Sequence, residues 1–329
     1  MSLRLHPSPP AQHGGRARLS IDLSASLNPL GPSPVALEAA RSADLSRYPD
    51  ATAAPLAEAA AARHGIPAEA IVPVPGASWG LWLSLVAHGG GGRRCLALGP
   101  CFGEYRRNAE IARCVYEETS SELEVALATR PDLVVLGNPA NPAGSALPAA
   151  RLRAAFEEHP GTVFVVDEAF AAFAPQGTSL IEEVVPASNV IVVRSLTKEL
   201  GLPGLRMGYL VAASGDAARL RGILPAWPLS APALAAAVAG CGDLDHISAG
   251  AETARRHVAS MTAVLTGAGA EVRPSSANYL LCRAPGLIQS LAARGIAGRD
   301  CAPFGLPGWV RLAAPAPVDL PVVLEAISG

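Results

Sequence analysis

The stretch Val192-Val193-Arg194-Ser195-Leu196-Thr197-Lys198-Glu199-Leu200-Gly201-Leu202-Pro203-Gly204-Leu205-Arg206 sets one lysine in a polar turn after a β-branched run, with an arginine one short Gly/Pro-rich loop away. Lysine is the side chain that forms Schiff bases with carbonyl compounds. Arginine offers a planar fork of donors that fits a phosphate, and Ser195 and Thr197 add hydroxyl donors. A cofactor carrying both an aldehyde and a phosphate needs this combination, and pyridoxal 5'-phosphate (PLP) is that cofactor. A surface turn with a solvated lysine would look the same in isolation, so a PLP site requires further parts elsewhere in the chain.

Those parts occur. Asp167, in Val165-Val166-Asp167-Glu168-Ala169-Phe170, is a carboxylate at a strand end, suited to keep a pyridinium nitrogen protonated so that the ring acts as an electron sink. Asn138-Pro139-Ala140-Asn141-Pro142-Ala143-Gly144 is a rigid turn whose second amide, Asn141, can donate to the cofactor's phenolic oxygen. Phe102, in Pro100-Cys101-Phe102-Gly103-Glu104-Tyr105, can stack on the ring. Pro75-Gly76-Ala77-Ser78 opens a helix, whose free N–H groups and dipole suit a phosphate. Arg311, after Trp309-Val310, suits bidentate capture of a substrate carboxylate. Each piece has an ordinary explanation: Asn-Pro is common punctuation, a phenylalanine is usually core, and an arginine can be a surface ion-pair residue. Their joint occurrence in this order on strand ends points to PLP.

Those side chains need a frame, and 329 residues suffice for two lobes. Half of the residues are apolar, and the formal charge of −2 gives no reason to expect nucleic acid or an anionic membrane as partner. The six cysteines show neither a CxxC pair nor metal-ligand spacing, so no metal is expected and they read as buried thiols of a reducing cytosol. MSLRLHPSPPAQHGG has no apolar h-region, so no secretory signal is visible. The longest apolar tract, around Ala231 to Gly240, is shorter than the roughly 20 residues of a membrane span and reads as a buried helix. A cytoplasmic protein is expected.

Residues 1–33 are rich in Pro, Gly and Ser and are expected to form an extended arm. Ser33-Pro34 offers a cap and a first-turn proline for a helix to about Leu45. Beyond a helix over Ala53–His64, helices and strands alternate: helix Gly76–His88, strand Arg94–Leu98, helix Gly103–Ala112, strand Asp132–Leu136, helix Pro148–Glu158, strands Thr162–Val166 and Val190–Val193. LVVL, VFVV and VIVV are apolar without alternation, as expected of parallel strands covered on both faces. The order gives an α/β sandwich whose ligands bind beyond the carboxyl ends of the strands, where Asn141, Asp167 and Lys198 lie. The expected division is a large cofactor-binding domain at 34–214, and a smaller α+β domain at 215–329 joined by the arm at 1–33, with strands at Tyr279–Cys282 and Trp309–Leu312.

With these residues in view, the chain resembles the fold-type I PLP enzymes, specifically the class I/II aminotransferase superfamily, from about Asp22 to Leu312. The resemblance implies an αβα sandwich with a mostly parallel sheet and a smaller α+β domain. It implies that Lys198 holds the cofactor aldehyde, that Asp167 pairs with the ring nitrogen, that Asn141 contacts the phenolic oxygen and that Phe102 stacks. Phe170 joins Asp167 in the cofactor pocket, and the phosphate falls to Gly76, Ala77, Ser78, Ser195, Thr197 and Arg206. Tyr48, in Arg47-Tyr48-Pro49-Asp50, is similar to the tyrosine that reaches the phosphate in the partner subunit's site. A two-fold homodimer with shared active sites is thereby implied.

Two groups within the superfamily compete: histidinol-phosphate aminotransferases, and the threonine-phosphate decarboxylases of cobalamin biosynthesis. Phe170 stands where the aminotransferases usually carry Tyr, and Arg194-Ser195-Leu196-Thr197-Lys198, Asn28-Pro29-Leu30-Gly31 and Arg299-Asp300-Cys301 resemble the decarboxylases. His13-Gly14-Gly15 is similar to their substrate-phosphate histidine motif, which makes His13 and Arg299 phosphate ligands, Arg311 the carboxylate ligand and Asn28 a further substrate contact. The leading expectation is decarboxylation of L-threonine phosphate; the other is amino transfer on histidinol phosphate or another amine with 2-oxoglutarate. A non-catalytic protein on this fold is a third possibility, opposed by the presence of Lys198, Asp167 and Arg206. The chain departs from its relatives at Pro75 and Trp79 in the phosphate loop and at Ser26, where the decarboxylases often have Asn.

Overall fold

Alternate residues of the long apolar strands enter two different cores. In Leu133–Gly137, Val134 and Leu136 face one cluster while Leu133 and Val135 face another. In Val190–Ser195, Val192 faces the first, and Ile191 and Val193 the second. A sheet covered by helices on both faces has no use for polar alternation, which is why these runs are uniformly apolar. This computed structural model describes residues 13–15, 19–185 and 187–328, so parts of the arm expected over 1–33 lie outside the described residues.

From the N-terminus the strands are β1 (Ile21–Asp22), β2 (Ile71–Val74), β3 (Arg94–Leu98), β4 (Val115–Thr119), β5 (Leu133–Gly137), β6 (Val163–Asp167) and β7 (Val190–Ser195). They continue as β8 (Gly208–Ala212), β9 (Glu271–Arg273), β10 (Tyr279–Arg283), β11 (Ile296–Ala297), β12 (Arg299–Asp300) and β13 (Trp309–Ala313). The central sheet has the order β2-β8-β7-β6-β5-β3-β4. Its pairs are parallel except those of β8, which runs antiparallel to β2 and β7. The architecture is α/β with a large, mostly parallel central sheet, as the strand patterns imply. A second sheet, β12-β13-β10-β9, is antiparallel. It packs with the helices Leu244–Gly267 and Leu320–Ile327 around Met261, Tyr279, Leu312 and Val323. β1 pairs in parallel with β11, which ties the N-terminal segment to this part of the chain.

Helix α1 (Pro34–Arg41) begins as the sequence implies: Ser33 Oγ accepts from Ala36 N at 3.1 Å and proline fills the first turn. It stops at Arg41 rather than near Leu45. The reason lies in Asp44, whose carboxylate accepts from Ser46 N at 2.8 Å and Ser46 Oγ at 2.6 Å, a local turn that competes with helix. Helices α2 (Ala54–His64), α3 (Ala77–His88) and α4 (Glu104–Ile111) fall within one residue of expectation at each end. β7 runs two residues past Val193 because Arg194 and Ser195 pair with Tyr209 and Gly208 of β8, a register that the apolar run alone does not reveal. The apolar tract forms the helix Ala231–Cys241, packed in the first core. Among the described residues, no helix is long and apolar enough to cross a membrane. All six cysteines are free, five of them buried and Cys114 half-buried.

Candidate active site

A cleft of about 310 Å³ lies beyond the carboxyl ends of β5, β6 and β7. Asp167 is the last residue of β6, Lys198 sits in the short helix Leu196–Glu199 that leaves β7, and Asn141 follows β5. Ala77 and Ser78 form the start of α3. All five line the cleft, with Phe102, Phe170, Ser195, Thr197, Arg206, His13, Arg299 and Arg311.

Asp167 is buried, and burial pushes its carboxyl up to about 6 against two opposing hydrogen bonds. These come from Tyr105 OH to Oδ2 at 2.9 Å and from Ala169 N to Oδ1 at 3.1 Å. Burial, reinforced by the charges of Arg311 and Arg206, draws the Lys198 amine down to about 8. Its Nζ lies 5.9 Å from the centre of the Phe170 ring, which in turn meets Tyr279 edge-on at 5.0 Å. Arg311 donates to Asn141 Oδ1 and, at 2.8 Å, to Ser24 O. Occupying Oδ1 in this way leaves the NH₂ group of Asn141 as a donor.

At the phosphate end, Gly76 has φ +86°, which only glycine adopts without strain. A Cβ there would come within 2.7 Å of Arg206 Nη2, so the guanidinium lies directly over the start of α3. Ser195 Oγ and Thr197 Oγ1 lie 2.8 Å apart. These donors, the first N–H groups of α3 and the Arg206 fork together suit a phosphate. Ser26 Oγ and Arg311 Nε are buried, line the cleft and have no hydrogen-bond partner among the described residues. Polar atoms in this state are open to a ligand or an ordered water. The donor set fits PLP: Arg206, Ser195, Thr197, Ala77 and Ser78 would hold the phosphate, Asp167 would meet the ring nitrogen, Asn141 the phenolic oxygen and Lys198 the aldehyde, with Phe102 and Phe170 beside the ring.

Residues 20–328 match the family described as aminotransferase class I and II. The chain belongs to that family. It is a PLP-dependent enzyme. The histidinol-phosphate aminotransferase of Thermobifida fusca is 30% identical over 328 residues, covering 93% of this chain and 88% of the relative. The threonine-phosphate decarboxylase of a Sinorhizobium species is 35% identical over 263 residues, covering 79% and 76%. Among solved structures, histidinol-phosphate aminotransferase from Sinorhizobium meliloti in complex with pyridoxal-5'-phosphate superposes with a TM-score of 0.85 at 24% identity, over 94% of this chain and 90% of that one. L-Threonine-O-3-phosphate decarboxylase from Porphyromonas gingivalis gives 0.83 at 23%, over 93% and 98%. At such identities these two structures speak to the fold alone, the fold-type I architecture that the sequence resembles.

Two of the residues expected at the site, Asn28 and Tyr48, do not line the cleft of their own chain. Asn28 is buried outside the cleft lining: its Nδ2 donates to Glu199 O at 2.8 Å, its Oδ1 accepts from Leu30 N at 3.0 Å, and its own N bonds Lys198 O at 2.9 Å. With both ends of its amide engaged, Asn28 clamps the backbone that carries Lys198. Tyr48 is 82% exposed and stacks on Trp227 at 4.8 Å, away from the cleft of its own chain. His13 is exposed at the cleft, its Nε2 3.0 Å from Glu104 Oε1 and its ring 5.6 Å from that of Phe102. Arg299 lies over the Phe304 ring at 5.4 Å. Tyr105 is the residue the sequence reading passes over: it sits three positions after Phe102 on α4, in the same motif, and its hydroxyl reaches Asp167.

Proposed function

We propose that this enzyme decarboxylates a phosphorylated amino acid, with L-threonine O-3-phosphate as the best-fitting substrate and aminopropanol phosphate as product, the chemistry of cobalamin biosynthesis. One observation carries this reading. Arg299 and Arg311 are direct cross-strand partners in β12 and β13, and both line the cleft. Like charges opposed in this way weaken a strand pair, and a ligand bearing two anionic groups relieves them. A phosphorylated amino acid brings a phosphate and a carboxylate. His13 and Arg299 would hold the phosphate, and Arg311, through the Nε that has no partner among the described residues, the carboxylate. Histidinol phosphate itself lacks the carboxylate, so under transamination Arg311 would meet a carboxylate only in the 2-oxoglutarate half of the cycle, whereas a phosphorylated amino acid brings both anions in one molecule.

When bound, PLP supplies a protonated ring that draws electrons from a bond at the substrate's α-carbon. Asp167 keeps the ring nitrogen protonated. Lys198, whose amine titrates at about 8, is suited to return a proton to the α-carbon once CO₂ has left. Phe170 offers no hydroxyl at that place.

The second reading is amino transfer of the histidinol-phosphate type with 2-oxoglutarate. The 93% coverage by the Thermobifida fusca aminotransferase, against 79% for the Sinorhizobium decarboxylase, favours it. Under either reading the enzyme is a cytoplasmic homodimer in which Tyr48 reaches the phosphate of the partner subunit's site, with residues 34–214 as cofactor domain and 215–329 plus the arm as the smaller domain. The exposure of Tyr48 beside half-exposed Trp227 supports a partner surface there.

The test is turnover of the PLP-loaded protein on L-threonine O-3-phosphate alone. CO₂ and aminopropanol phosphate are expected without any keto acid. Product that forms only after 2-oxoglutarate is added overturns the proposal in favour of transamination.

A further inference from the structure

Four buried charges lie on the face of the central sheet opposite the cleft. Asp167 and Ser195 point into the cleft. Their chain neighbours Glu168 and Arg194 point the other way, as strand alternation requires. Arg194 Nη1 donates to Glu168 Oε2 at 3.0 Å, and Nη2 to Glu199 Oε2 at 3.4 Å. Arg63, in the last turn of α2, closes the set on Glu199 Oε1 at 2.5 Å. Glu168 also accepts from Leu180 N at 2.6 Å and Ser179 Oγ at 2.8 Å. His64 and Tyr209 lie beside the set, Nε2 to OH 2.6 Å.

We propose that Arg194 is a positioning residue for the cofactor's two partners, holding Asp167 and Lys198 in fixed relation through their chain neighbours Glu168 and Glu199. The helix that carries Lys198 leaves the sheet beyond β7, and its backbone is tied on other sides, through Leu196 N to Met207 O and Lys198 O to Asn28 N. The Arg194 side chain spans from that helix to the turn after β6. Two carboxylates and two guanidiniums make a balanced set. Buried ion pairs of this kind are often no better for stability than apolar residues of the same volume, while fixing one arrangement among several is their best-attested use. Glu168 directly follows Asp167, and Glu199 directly follows Lys198, so a displacement of either carboxylate moves a group that touches the cofactor. The inference rests on PLP binding at Lys198 and is independent of which substrate bond the enzyme breaks.

The test uses the PLP-loaded protein without substrate, and compares wild type with Arg194→Met and Arg194→Lys. The readouts are the visible circular dichroism of bound cofactor, the pH midpoint of its absorbance change, and thermal unfolding. For Arg194→Met, a fall of about twofold in the dichroic band and a midpoint shift of at least about half a pH unit are expected, because cofactor geometry and local charge both change. Arg194→Lys should recover part of each. A lower unfolding temperature with unchanged dichroism and midpoint would overturn the proposal and leave the set as core packing only. If Arg194→Met does not fold, the paired variant Arg63→Met/Glu199→Leu decides by the same two spectral criteria, since leucine offers no acceptor to Arg194 and cuts the tie to Lys198 while keeping charge balance. Wild-type protein without a visible cofactor band would instead contradict PLP binding itself.

Discussion

The phenol of Tyr105 donates to Oδ2 of Asp167 at 2.9 Å. That bond opposes burial, which alone would push the carboxyl higher than about 6. Tyr105→Phe is therefore expected to raise the Asp167 pKa and to weaken its hold on the ring proton. A hydrogen bond to a charged group contributes about 1.5–3 kcal/mol, so a fall of roughly tenfold in kcat is expected, with the acidic limb of the pH–rate profile moved upward. A profile identical to wild type would show that Tyr105 is packing alone.

Arg299 and Arg311, opposed across β12 and β13, give a prediction with two parts of opposite sign. Arg299→Met should raise KM for L-threonine O-3-phosphate by about ten- to a hundredfold, as expected for a lost charge-assisted contact to phosphate, with little change in kcat. In the ligand-free protein the same change should stabilise by roughly 0.2–1 kcal/mol, because it removes a like-charge pair. Steady-state kinetics and thermal unfolding check the two parts separately. Weaker binding accompanied by lower stability would mean that Arg299 serves the fold instead of the substrate.

Cofactor uptake should follow the protonation of Lys198. Only a neutral amine is nucleophilic, and burial lowers this amine to about 8, whereas an ordinary lysine titrates at about 10.4. The rate at which cofactor-free protein takes up PLP should therefore rise to a midpoint near pH 8 and then level off. The sign for stability follows from the same shift. Between about pH 8 and 10.4 the unfolded chain binds the proton and the folded one does not, so stability gained from this group increases with pH across that window. A rate that kept rising to pH 10 would contradict the lowered value.

Gly76→Ala should weaken PLP binding without disturbing the core. At φ +86° and ψ 161° an alanine is strained by roughly 1–3 kcal/mol, and its Cβ would push Arg206 off the phosphate position. A rise of at least about tenfold in the dissociation constant for PLP is expected. Unchanged affinity would place the phosphate elsewhere.

Most of this arrangement could be read from sequence because the chemistry sits at strand ends and the strands are uniformly apolar. LVVLG, VFVVD and VIVVRS announce both themselves and the positions of Asn141, Asp167 and Lys198. Less legible were contacts between elements remote in the chain. Asn28 looks like any polar residue of an Asn-Pro turn, and only the fold shows its Nδ2 spent on Glu199 O and its Oδ1 on Leu30 N. Tyr105 carries no signal separate from Phe102, because a phenol reaching a carboxylate 62 positions away has no local signature. The Arg63–Glu199–Arg194–Glu168 set joins three stretches of sequence, each of which reads as an ordinary mixture of charges.

The two candidate reactions treat the hydrogen on the substrate's α-carbon differently, and that hydrogen provides the sharpest test. L-Threonine O-3-phosphate deuterated at the α-carbon would be given to the PLP-loaded enzyme in parallel reactions without keto acid and with 2-oxoglutarate, and the products weighed by mass spectrometry. Decarboxylation predicts aminopropanol phosphate that keeps the deuterium, together with one CO₂ per product. No CO₂, or deuterium lost to solvent as an amino group is transferred to 2-oxoglutarate, would contradict the account and make this chain an aminotransferase.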